Sequence, residues 1–131
     1  MFSRFSLISA SFFGLTGVAL GAFGAHALQE TLLVRGTLHA WNTGVLYQLL
    51  HAVALIGIAG CAQVTPNAIQ QRYMAWVGRF WVVGIVLFSG SLYVLALGGP
   101  RIFGPITPFG GLALMLGWMT LLIVGIKHGK D

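Results

Sequence analysis

Charge is spaced along this chain in a way that leaves few folds open. No Asp, Glu, Lys or Arg stands between Arg4 and Glu30, and the same holds from Arg35 to Arg72, Arg79 to Arg101, and Arg101 to Lys127. Each interval can hold the ~20 apolar residues that a membrane-spanning helix needs. The spacing predicts four spans near residues 5–26, 39–63, 77–98 and 108–126, in one integral membrane domain over 1–131. Composition agrees: 57% of residues are hydrophobic and 7% charged, against about 25% charged in soluble domains. The expected fold is therefore an all-α membrane protein, a four-transmembrane-helix up-down bundle of antiparallel neighbours.

The first span is organised by its smallest residues. Gly14, Gly17, Gly21 and Gly24 fall on one face, while Phe5, Leu15, Val18, Leu20 and Phe23 crowd the others. In water an interior helical Gly costs roughly 1 kcal/mol relative to Ala. In lipid the same positions let a second backbone come close, so these four glycines are expected to be helix-packing contacts, with the first span as a central surface for the others. Arg4, the apolar run and Ala25-His26-Ala27 also resemble a signal peptide, but the run exceeds the usual h-region.

Between the first two spans, residues 27–38 carry Leu28, Leu32 and Leu33 on one helical side and Gln29, Glu30 and Arg35 elsewhere. That pattern predicts an interfacial helix, ended by Gly36, with Thr37 capping the second span. Trp41, Tyr73, Trp76 and Trp81 are expected as interfacial anchors. Gly98-Gly99-Pro100 should stop the third span, and Thr107-Pro108 should start the fourth. Arg4, Arg72, Arg79, Lys127 and Lys130 lie on one side of such a bundle, Arg35 and Arg101 on the other. The positive-inside rule then places both termini in the cytoplasm of a multi-pass inner-membrane protein.

Four stretches carry a family resemblance. Gly21-Ala-Phe-Gly-Ala-His26, Tyr47 with His51-Ala52, Phe88-Ser-Gly-Ser-Leu-Tyr93 and Gly104-Pro-Ile-Thr-Pro-Phe-Gly-Gly111 are similar to the signatures of the YgdD-like family of small bacterial inner-membrane proteins, a domain of unknown function. The resemblance runs from the first span to Trp118 and implies a four-helix inner-membrane protein. It implies no particular activity, ligand or catalytic residue.

Polar residues within the spans are the remaining functional signal. Tyr47, Gln48 and His51 lie near the middle of the second span, and Ser89, Ser91 and Tyr93 at comparable depth in the third. An ionisable group at that depth is a functional candidate by default. A neutral imidazole hydrogen-bonded to Ser89, Ser91 or Tyr93 is the structural alternative, and the layer could either line a cleft or join the helices. On the outer side His26, Arg35, His39 and Arg101 are candidate lipid or anion contacts. The histidines there lack a metal-ligand spacing, and His26 and His51 differ too much in depth to share a haem. Cys61, alone, is expected to pack inside.

No carboxylate lies within the spans, so the usual partner of a catalytic His is missing, and no cofactor is expected. The reading that follows is non-enzymatic: a structural or accessory protein whose partners are membrane lipids, a second copy in a homo-oligomer, or another membrane protein. The few scattered cations, for all the net charge of +5, speak against nucleic acid. Two other classes stay open. A transporter or channel component would have to act as an oligomer, since inverted repeats and intramembrane charges are not evident. A redox or enzymatic protein would centre on His51 with Tyr47 or Tyr93.

Overall fold

A computed structural model describes residues 1–128. Among them four helices are long and apolar enough to cross a membrane: α1 (Phe2–Ala25), α3 (Leu38–Val64), α4 (Ala68–Ala96) and α5 (Ile106–His128), with a short α2 (Gln29–Val34) between the first two. A single 3-10 turn, Arg101–Phe103, precedes α5.

Local chemistry accounts for the boundaries. Thr65 is extended, as the residue before Pro66 must be, which ends α3. Asn67 then caps α4, its side-chain oxygen accepting from the amides of Ile69 and Gln70 at 2.8 and 3.4 Å. The third span therefore starts as a helix nine residues before the expected residue 77, because the cap, and not the hydrocarbon boundary, sets the helix start. At the other end α4 closes with Gly98 at φ +83°, its amide donating to Leu95 while Gly99 donates to Val94. Gly36, at φ +66°, closes α2 in the same way through Leu33 and Leu32. Both are the left-handed C-caps that favour glycine.

The two threonines expected as caps act across the structure. Thr37 Oγ1 donates to the Ala96 carbonyl at 2.8 Å, tying the start of α3 to the end of α4. Thr107 lies inside α5, which begins at Ile106, and its hydroxyl meets Ser91 Oγ at 2.6 Å.

The principal interfaces run α1–α3, α3–α4 and α4–α5. A shared core joins all four spans, with Phe13 of α1, Leu55 of α3, Trp81 and Ile85 of α4, and Leu114 of α5. The expectation that α1 forms the central surface is corrected: α3 and α4 are the inner pair, and α1 packs chiefly on α3. Its glycine face serves that one partner. A methyl on Gly17 would press on Leu49, one on Gly21 on Val45 at 3.3 Å, and one on Gly24 on the Trp41 indole. Gly14 does not share this role, since nothing stands within 4 Å of where its Cβ would be. The face turns away from α3 before it reaches that residue.

Close approaches of this kind recur at every interface. Gly44 of α3 receives the Tyr93 ring, Gly84 of α4 receives Leu114, and Gly117 of α5 receives the Trp81 indole. Gly110 lies against the α4 backbone itself at Leu87 and Phe88. Without side chains in the way, helices gain dispersion contact that lipid tails would not supply.

The tryptophans divide differently from expectation. Trp41 and Trp81 are 2% and 1% exposed, so they are core residues and not interfacial anchors. Each is drawn inward by the glycine socket that faces it. Trp76 and Tyr73 remain exposed near the Met1 end. The α2 segment is anchored by Leu32, fully buried in a cluster with Trp41 and Ala96, while Leu33 faces outward. Cys61 lies exposed on α3 and not packed inside, because α3's buried stripe passes through Ile58, Ala59 and Ala62 instead.

Candidate functional site

The six polar side chains of the middle layer come from two helices, α3 and α4, and the packing sorts them into separate hydrogen-bonded groups, while Gln48 and Tyr93 line one hollow of about 290 Å³ with Thr16. Gln48, 3% exposed, sits at the junction of α1, α3 and α4. Its Nε2 donates to the Phe13 carbonyl at 2.9 Å and to Thr16 Oγ1 at 2.8 Å. Its Oε1 accepts from the Tyr93 hydroxyl at 2.8 Å. One amide thus links three spans. Thr16 in turn donates to Phe12 in its own helix at 2.8 Å.

His51 is held elsewhere, on the side of α3 that faces α5. The indole of Trp118 donates to its Nε2 at 2.9 Å, and its Nδ1 lies 2.8 Å from the Tyr47 carbonyl. An indole nitrogen only donates, so Nε2 is the acceptor and the proton resides on Nδ1, which donates to Tyr47. The two bonds fix one tautomer of the neutral ring and use both of its nitrogens. Trp81 and Trp118 each meet the imidazole edge to face, at 5.8 and 5.9 Å, and stand 4.7 Å from one another. Tyr47 stacks at 6.2 Å on the ring and covers Phe88 at 4.8 Å.

The partners expected for His51 are therefore corrected. Ser89 donates to the Gly44 carbonyl at 2.7 Å, Ser91 pairs with Thr107, and Tyr93 is taken by Gln48. Helix rotation aims these side chains into different interfaces. The sequence reading missed Thr16, Thr107 and Trp118 as partners. Thr16 could have been noticed as a hydroxyl between Gly14 and Gly17, but nothing local marks Trp118, which lies 67 residues from His51. Two buried polar atoms, Ser6 Oγ and Trp81 Nε1, have no hydrogen-bond partner among the described residues.

The outer-side candidates lie on four different elements or their ends. His26 ends α1, His39 lies in the first turn of α3, and Arg101 opens the 3-10 turn, all exposed. Arg35 follows α2, and its guanidinium lies against Gly98. Among the described residues no three His, Cys, Asp or Glu side chains gather where they could hold a metal ion.

Comparison with known proteins gives the setting of these residues. Residues 20–111 match the family described as "Protein of unknown function (DUF423)". The chain is similar to the UPF0382 inner membrane protein YgdD of Escherichia coli (strain K12), 42% identical over 132 residues that cover 97% of this chain and 93% of that one. It is also similar to the UPF0382 membrane protein YwdK of Bacillus subtilis (strain 168), 38% identical across 87% of this chain and 89% of that one. A third relative is a UPF0382 membrane protein of Staphylococcus epidermidis, 38% identical across 86% and 88%. No solved structure matches.

Proposed function

This chain belongs to the DUF423 family, and on that premise we propose that it serves the inner membrane without turning over a substrate. In this reading it is a structural or accessory protein that binds lipid, a second copy of itself, or another membrane protein. Its Met1 end faces the cytoplasm.

The observation that carries the reading is the hydrogen bonding of His51. A proton-handling or ligand-binding imidazole keeps a nitrogen for the reacting group. Here one nitrogen accepts from Trp118 and the other donates to Tyr47, so the ring joins α3 to α5. Gln48 joins α1, α3 and α4 in the same manner. Interhelical bonds of this type contribute about 0.6 kcal/mol on average and up to about 2 kcal/mol each. They support a rigid body that presents its outer surface to the bilayer.

The test is a native mass spectrum of the full chain released from lipid nanodiscs, with an absorbance scan of the same sample. The expected result is protein mass plus phospholipid only and no visible band. A discrete non-lipid mass, or a visible absorption band, would overturn the reading and make the His51 layer the first place to mutate.

A further inference from the structure

The outer face of α4 and α5 carries a groove of about 460 Å³. Phe80, Val83 and Leu87 form one wall and Phe109, Leu112 and Leu116 the other, with Ala113 between. The walls follow from sequence: 76, 80, 83 and 87 repeat at helical spacing, as do 109, 112 and 116. The backbone contact at Gly110 and the seat of Leu114 on Gly84 hold the two helices together behind it.

One end of this groove is cationic. Arg79 and Trp76 line it there, with the guanidinium carbon 5.1 Å from the Trp76 ring centre. Trp76 also lines a second hollow of about 330 Å³ with Ile69, Arg72 and Tyr73, and Lys127 Nζ stands 5.4 Å over the Tyr73 ring. Both aromatic rings thus already orient a cation at this end. Glu30 is the one acidic residue among those described, and it lies in α2 at the opposite end of the bundle.

Lengths place the two parts at different depths. With 29 residues, α4 is about 43 Å long, more than the ~30 Å hydrocarbon core. Its first turns therefore reach the headgroup level, carrying Arg72, Tyr73 and Trp76 with them. From Trp76 to Leu87 the groove runs about 16 Å, close to the depth of one leaflet.

We infer that this groove is a binding site for one anionic phospholipid of the Met1-side leaflet. Its phosphate lies at Arg79, the cation that lines the groove, with Arg72 and Lys127 supplying further positive charge at the same end of the bundle, and an acyl chain lies between α4 and α5. Free phosphate would use the cations and leave the apolar groove unexplained; a zwitterionic lipid would use the groove and leave the excess cations unanswered. The site rests on the lipid-binding part of the reading above and names the lipid class and the place.

The experiment uses the full chain in nanodiscs of equal phosphatidylglycerol and phosphatidylcholine, with retained lipid read by native mass spectrometry. Wild type should retain phosphatidylglycerol over phosphatidylcholine by about fivefold or more for each cation engaged. Arg79→Gln should lower that preference about fivefold, and Ala113→Phe, which fills the groove, should reduce retention of phosphatidylglycerol. Since Arg79 is exposed, its replacement leaves the helix interfaces untouched even if Ala113→Phe perturbs them. Wild-type selectivity in Arg79→Gln would overturn this site while leaving lipid binding in place. Equal retention of the two lipids by wild type would overturn the anionic preference, and retention of neither would remove the lipid-binding reading as well.

Discussion

At the scale of single residues, Gln48 and His51 are functional candidates three positions apart in sequence that do different work. Gln48 has three partners on two other spans, whereas His51 depends on one donor, Trp118. Replacing Trp118, which is 44% exposed, with Phe keeps a ring beside His51 and Trp81 but leaves Nε2 of His51 without a donor. The buried acceptor then costs about 1–3 kcal/mol. His51→Phe removes both ring nitrogens and orphans the Trp118 N–H instead. The double variant should be less destabilised than the sum of the two single variants, by about 0.5–2 kcal/mol of coupling. Reversible unfolding in mixed micelles measures this, and strict additivity would mean that the Trp118–His51 bond contributes nothing to stability.

At the scale of the helix, the glycines of α1 look alike in sequence and differ in consequence. Gly24→Ala would drive a methyl into the Trp41 indole, whose N–H also donates to the Leu20 carbonyl at 2.9 Å. Overpacking of that kind typically costs about 1–3 kcal/mol. Gly14→Ala meets open space and gains helix propensity, so it should be neutral or stabilising by up to about 1 kcal/mol. Melting temperatures of the two variants in one detergent would decide it. Equal losses at both positions would show that the whole glycine face is engaged, by a second copy at Gly14.

At the scale of the molecule, the asymmetry of charge sets the expected orientation. Arg4, Arg72, Arg79 and Lys127 mark the Met1 end and Arg35 and Arg101 the other, while Lys130, counted with the first group, lies outside the described residues. A reporter fused after residue 131 and active only in the cytoplasm should be active, and a periplasm-dependent reporter at the same place silent. The reverse pattern would invert the bundle and move the groove cations to the outer leaflet. The bundle's principal interfaces pass from one span to the next, so much apolar surface on α1 and α5 stays outward. Phe12, Leu15 and Val18 on α1, and Leu112, Met115 and Met119 on α5, are all more than half exposed. In a bilayer that surface meets lipid tails or a partner helix without loss.

The number of spans, their approximate positions and the breaks at Gly36 and Gly98 were legible in the sequence alone. Each depends on a local requirement: hydrocarbon tolerates no unpaired backbone and little charge, and a left-handed cap favours glycine. The partners inside the bundle were not legible. Which side of α3 carries His51, whether Trp41 and Trp81 point to the interface or to the core, and whether Gly14 joins Gly17 all depend on rotation of each helix about its axis. That rotation is set by how rings seat on glycines of another helix, at Gly24, Gly44 and Gly117. Such contacts couple residues tens of positions apart, as Trp118 and His51 are, so only the packed structure decides them.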